Sequence, residues 1–340
     1  MMRQKIAYLL VALSTQCFSL QGQDFHLSQY DAAPLYVNPA MTGMFNGMYR
    51  VHGHYRNQWS SVVSPFSTTA FSYDTQLEKF NIGGIVLNDR AGSGNFNVLN
   101  FVGSAAYDYA IDKNTKKAHH VAGGLQAGII HKSVNMSKLI FPSQYTSTNS
   151  QPFDPGIPNG EIFSNTNFVI PELNLGILYY MANDKSKVNP FIGFSVFHLL
   201  SPVESFYENN NKLPRRFITH MGVKVNLTKD IQITPKIFIM NEGNANERTI
   251  SVMAAYYLKN TDAWIFAAPT YRSFKFREFG TNDAIITTIG LKYGDFTYGF
   301  SYDFNISSLR SISNGKGGFE LSITYIAKKI TFPKPACPRL

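Results

Sequence analysis

The chain has 340 residues, 14% of them aromatic and only 16% charged, with a formal net charge of +9. Average soluble domains carry roughly 25% charged residues, so a chain with 27 Phe, 19 Tyr and so little charge suits a sheet that turns apolar bulk outward. The basic residues are dispersed rather than gathered into a stripe interleaved with aromatics, which argues against a nucleic-acid groove.

Residues 1–22 read as a secretory signal peptide. Arg3 and Lys5 form a basic stub, Ile6 to Leu13 an apolar stretch too short to cross a bilayer as a helix, and cleavage after Gly22 leaves Gln23 first. Cys17 follows Gln16, where a lipid-attachment site wants a small residue, so a lipoprotein is not expected. Cys337 is then the single cysteine of the mature chain, which excludes an internal disulfide framework. No other stretch approaches 18 consecutive apolar residues. If the exported protein spans a membrane, it does so as a barrel.

Residues 23–46 do not alternate. Pro34, Asn38, Pro39 and Gly43 fix an extended, turning segment that offers few donors to a sheet. Such a segment leads the chain into the first strand from the periplasm, tucks Leu35 and Tyr36 into a lumen as a plug, or touches a partner. Tyr30, Pro34, Leu35, Tyr36, Asn38 and Pro39 are its candidate contact residues, together with Arg56 and Trp59 further on. Trp59, at the top of the first strand, reads as an interfacial anchor.

From residue 47 to 327 the pattern changes to period two. Strands are expected at 47–57, 66–75, 81–88, 96–109, 119–131, 167–181 and 188–198, then at 216–227, 231–240, 248–258, 262–271, 284–293, 295–304 and 318–327. In the first, Tyr49, Val51 and Tyr55 share one face and Arg50, His52, His54 and Arg56 the other. In the last, Phe319, Leu321, Ile323 and Tyr325 oppose Glu320, Ser322 and Thr324. The gaps after even strands are brief, as at 76–80 and 228–230. Those after odd strands are longer, as at 132–166, 199–215, 272–283 and 305–317. Short turns on one side and long loops on the other are the habit of membrane β-barrels. The expected fold is therefore an all-β transmembrane antiparallel barrel of about 14 strands, with periplasmic termini, long extracellular loops and a periplasmic tail at 328–340. A soluble β-sandwich also alternates, but has no reason to sort its loops by length.

Within this frame, 132–166 carries Pro142, Pro152, Pro155 and Pro158 and reads as a surface loop. An echo recurs in Ser72-Tyr73-Asp74, Ala106-Tyr107-Asp108 and Ser301-Tyr302-Asp303, with Tyr expected toward lipid and Asp toward the lumen. The lumen face is mixed in sign, with Arg50, Arg56, Asp74, Asp108, Arg216, Lys224, Lys236, Asp303 and Glu320. About fourteen strands leave room for a channel unless a segment fills it. His52 and His54 lie on one face about 7 Å apart, a spacing open to a metal but more simply read as polar lining. His119 and His120 point to opposite faces. No metal site, cofactor or catalytic residue is expected: the chain has no G-x-S-x-G elbow, CxxC pair, P-loop or dinucleotide fingerprint.

The run Ser28-Gln29-Tyr30, then Pro34-Leu35-Tyr36-Val37-Asn38-Pro39-Ala40 with Gly43, then Tyr55-Arg56-Asn57-Gln58-Trp59, resembles the opening of the PorP/SprF family of type IX secretion system membrane proteins. That family's pattern is S-Q-Y, N-P-L-x-x-N-P-A-x-x-G and Y-R-x-Q-W. Asn88-Asp89-Arg90-Ala91-Gly92, Ser301-Tyr302-Asp303 with Ser308-Leu309, and Cys337-Pro338-Arg339 resemble its later steps. Ala33 stands where the family usually has Asn, and Gly317-Gly318-Phe319-Glu320 where it often has G-S-H-E. The resemblance implies a non-enzymatic outer-membrane barrel of Bacteroidota that serves type IX secretion or gliding. One branch of the family belongs to the core machinery, beside a periplasmic ring and lipoproteins. The other exports or anchors a dedicated cargo, such as an adhesin with a conserved C-terminal domain, and is the branch favoured here. A solute porin is the rival reading.

Overall fold

The computed structural model describes residues 24–328, apart from short stretches at 61–64, 78–79, 93, 112–118, 147–152, 155, 162–164, 183–185, 208–209 and 277–278. The signal peptide at 1–22, the residues of the tail from 329 onward and Cys337 lie outside the described residues.

Fourteen antiparallel strands form one closed barrel in sequence order. They are β1 (Tyr49–Gln58), β2 (Phe66–Gln76), β3 (Asn81–Ala91), β4 (Phe96–Ala110), β5 (His119–Ser133), β6 (Asn167–Met181) and β7 (Val188–Phe197). The second half comprises β8 (Arg216–Asn226), β9 (Ile231–Glu242), β10 (Ala245–Leu258), β11 (Ala263–Phe276), β12 (Phe279–Tyr293), β13 (Phe296–Asn305) and β14 (Lys316–Ile326). β1 closes the wall against β14 in a register that runs from Arg50 opposite Ile326 to Gln58 opposite Gly318. Closure leaves no unpaired edge, the condition for a sheet to sit in hydrocarbon.

Burial alternates along the wall as the sequence pattern requires. Phe71, Phe101, Ile177, Ile250, Ile289 and Leu321 are exposed on the outer face, and so continuous an apolar band is expected only of a surface that meets lipid. Aromatic rings gather at the short-turn rim, where Tyr73, Tyr49, Tyr325 and Phe296 contact one another in that order around the wall. In the repeated tripeptides Tyr73 and Tyr107 are exposed while Asp74 and Asp303 are buried. No helix among the described residues is long and apolar enough to cross a membrane.

The loop sorting holds at β5–β6, β7–β8 and β13–β14 but not everywhere. The expected loop 272–283 is mostly strand, because β11 runs on to Phe276 and β12 begins at Phe279. The register passes from Arg272 opposite Ala284 to Ser273 opposite Asn282, so Asp283 is an extra residue that shifts the alternation of β12, which hides the start of that strand from a period-two reading.

Candidate functional site: a segment locked in the lumen

Residues 24–46 occupy the lumen. Pro34 opens a single helical turn, α1 (Pro34–Val37), and Pro39 opens a 3₁₀ turn (Pro39–Met41). Proline suits the first helical position because its fixed φ is already helical and no partner is needed there. Asn38 separates the two turns, its side-chain oxygen accepting from Ala40 N at 2.9 Å while its amide donates to the Ile177 carbonyl at 2.9 Å. The wall is recessed to receive it. A Cβ at Gly124 would lie 2.3 Å from the Pro39 carbonyl carbon, and one at Gly176 2.0 Å from Asn38 Oδ1. The barrel has room for this plug only because side chains are missing at these positions.

The segment crosses from one end of the barrel to the other. Asp24 accepts from Arg216 Nη1 at 2.7 Å and donates its backbone N–H to Glu242 at 3.0 Å, both at the long-loop end. At the short-turn end, Gly43 N donates to Asp74 Oδ2 at 2.6 Å and Gln76 Nε2 donates to the Gly43 carbonyl at 2.7 Å. The wall thus begins and ends on the short-turn side, as expected, whereas the first described residue lies at the opposite mouth.

Polar wall residues satisfy the backbone groups of the plug. Glu320 accepts from Ser28 N and Gln29 N at 2.5 and 2.8 Å, pairs with Arg56, and lies 3.0 Å from His54 Nε2. Ser28 Oγ donates to Asp303 Oδ2 and accepts from Arg56 Nη1 and Arg272 Nη1, each at 2.8 Å. The Gln29 side chain donates to the Glu320 carbonyl at 3.1 Å and accepts from Ser322 Oγ at 2.7 Å. Arg56 and Arg272 also hold Asp303 at 3.0 and 2.9 Å, so each buried charge has an opposite partner. Further along, Gln126 Nε2 donates to the Leu35 carbonyl and Ser195 Oγ to the Val37 carbonyl.

The other side of the lumen is apolar, beside the polar, mixed-sign lining expected. Leu27, Tyr30, Leu35, Tyr36 and Val37 pack with wall residues Ile85, Leu87, Val102, Phe197, Ile218, Phe238 and Met240. Tyr30 stacks on Phe238 at 4.4 Å between ring centroids, and Arg216 lies over the rings of Tyr36 and Phe197. Burial pushes the Tyr36 phenol far above its ordinary pKa, and its hydroxyl donates to the Phe25 carbonyl at 2.6 Å. His26 is pushed well below its ordinary value by burial and by the nearby Arg272 and Arg56. It is therefore a neutral acceptor for Arg56 Nη2 at 3.1 Å. Burial works against charge on His198, yet the Asp24 and Glu172 carboxylates outweigh it and raise its pKa to about 9.

Of the residues expected to matter, the structure brings together Tyr30, Pro34, Leu35, Tyr36, Asn38, Pro39 and Arg56, all buried around the plug. Trp59 is half-buried just past β1, at φ 65°, and lines a cavity of about 490 Å³ at the long-loop mouth with Phe25, His26, Phe66 and Phe96. That is a vestibule position rather than the expected lipid anchor. Sequence reading missed Asp24, Ser28, Gln29, Arg272 and His198 as parts of the lock. His52 and His54 are polar lining: His52 Nδ1 is 2.9 Å from Thr324 Oγ1, and His54 serves Glu320.

Fold and site together define a fourteen-stranded membrane β-barrel whose bore is crossed by its own N-terminal segment, beside which lumenal cavities of about 410 and 850 Å³ remain. The profile of the family described as "Type IX secretion system membrane protein PorP/SprF" matches residues 19–325, and the chain belongs to that family. No curated protein matches the sequence. Among solved structures, the CymD monoaromatic hydrocarbon channel is similar over 91% of this chain and 95% of its own, at 12% identity and a TM-score of 0.49. The Pseudomonas putida toluene transporter TodX is similar over 92% and 99%, at 12% identity and a TM-score of 0.46.

Proposed function

We propose that this protein is a non-enzymatic outer-membrane barrel that serves the type IX export apparatus by supporting export and surface anchoring of a partner protein, an adhesin-type cargo engaged through its C-terminal domain. The observation that carries this reading is the bore occupied by residues 24–46. A barrel whose lumen is crossed by a segment hydrogen-bonded to its wall has its two faces to offer rather than its bore. The long-loop vestibule offers aromatic side chains, Phe25, Trp59, Phe66 and Phe96, beside His26, Arg56 and Asp283, a composition suited to protein contacts. In this reading 1–22 is removed after export, the long loops face outside, and the tail at 328–340 meets periplasmic ring or lipoprotein components.

The test is purification of the tagged protein from native outer membranes followed by mass spectrometry. Recovery of one large secreted protein through its C-terminal region is the expected result. Recovery of ring and lipoprotein components alone moves the protein into the core machinery. Porin-like conductance by the intact protein in planar bilayers would overturn the reading in favour of a solute pore.

A further inference from the structure

At the long-loop mouth, three side chains from separate parts of the chain converge. One ligand atom each from Asp24, His198 and Glu242 lies within 4.8 Å of the other two. Asp24 begins the plug, His198 follows β7, and Glu242 ends β9. His198 Nε2 points at Asp24 Oδ2, 2.9 Å away, while Nδ1 faces Glu172 Oε2 at 2.8 Å. A carboxylate behind a histidine is the arrangement that fixes the ring of a metal-ligating imidazole. The ring is also held from its own backbone: His198 N donates to Asn174 Oδ1 at 3.1 Å, and the residue sits at φ 57°. A left-handed conformation at a histidine is kept only where its surroundings impose it, commonly at functional positions.

Charge points the same way. Three carboxylates, Asp24, Glu172 and Glu242, face one fixed cation, Arg216, which binds Asp24. The neighbouring Lys132 is matched by Glu204. The carboxylates accept any hard divalent cation, and the imidazole among the ligands favours zinc over calcium or magnesium. Nε2 and Oδ2 stand at a hydrogen-bond distance, 2.9 Å, and binding would part them to the edge, about 3.3 Å, of a tetrahedron with zinc bond lengths. A cavity of about 130 Å³ lined by Asp24, Glu242, Lys132 and Glu204 gives access and room for a fourth, water ligand.

We propose that Asp24, His198 and Glu242 form a zinc-class divalent metal site that staples the start of the plug to the barrel wall. Binding displaces the proton shared by His198 and Asp24, and Arg216 and Glu172 keep the ligands aimed. The site involves neither His52 nor His54.

The purified protein in detergent, stripped with chelator, is titrated with Zn²⁺ by calorimetry and with Co²⁺ by visible absorption. One equivalent should bind, with the intense visible bands of low-coordinate cobalt, and His198→Ala and Glu242→Gln should each weaken binding at least tenfold. Asp24→Asn provides a variant outside the wall, so its loss of affinity cannot come from a misfolded barrel. Heat-modifiable mobility on gels confirms closure of every variant. A closed wild-type barrel that binds no zinc, or binding unchanged in all three variants, overturns the proposal.

Discussion

On one side of the lumen, from β11 through β14 to β1, the plug is held at Ser28 and Gln29 by Arg56, Arg272, Asp303 and Glu320. On the other, from β2 to β4 and β7 to β9, Leu27, Tyr30, Leu35 and Tyr36 lie against aliphatic and aromatic wall residues. The two sides do different work. Apolar packing scales with area and tolerates sliding, so it supplies attraction without fixing position. The charged side contributes little net attraction, because desolvation consumes most of it, yet any displacement strands a buried charge. The polar side therefore sets the register of the plug and the apolar side holds it in.

The largest effect expected is that of removing the plug itself. Deletion of 24–46 should turn a closed barrel into a conducting one, read in planar bilayers with gel mobility as the folding control. Glu320→Ala removes one of the two carboxylates that hold Arg56 and the acceptor of two plug N–H groups, a loss of about 3–5 kcal/mol from docking. It should appear as proteolysis within 24–46 while the wall stays intact. Combined with Arg56→Ala it should cost less than the sum, because the two residues share one ion pair. Leu35→Ala tests the apolar side and should cost about 2–5 kcal/mol by cavity formation, with labelling of a cysteine placed in the plug as the readout. Gly176→Ala, which puts a methyl against Asn38, should cost about 1–3 kcal/mol and increase the same labelling. Lys259→Ala, breaking an exposed pair with Asp230 at a short turn, should change none of these readouts. If Leu35→Ala shifted the register and Glu320→Ala did not, the assignment of roles would be reversed.

Much of the wall was legible because period-two alternation is a direct consequence of strand geometry. It failed at the start of β12, where Asp283 bulges and moves the alternation by one residue. The plug was legible only as a segment that cannot be a strand. Its destination depends on Glu320 and Asp303, nearly three hundred residues away, and no local pattern encodes such a pairing. One signal could have found it. Ile237-Phe238-Ile239-Met240 is apolar without alternation, and a strand of that kind is buried on both faces. Something apolar had to lie inside the barrel against Phe238 and Met240, and Tyr30 stacks on the first of these. The lock residues Arg56, Asp303 and Glu320 were read correctly as lumenal, but their mutual pairing was invisible because they sit on three different strands.

The direction in which the plug runs has a practical consequence. Asp24 lies at the long-loop mouth and Tyr49 starts the wall at the other rim, so the chain traverses the barrel once before its first strand. A reporter fused just ahead of Asp24 would be displayed from the face opposite the one where β1 begins. Topology mapping that infers the side where the first strand starts from the side of a reporter at Asp24 would therefore draw this barrel upside down.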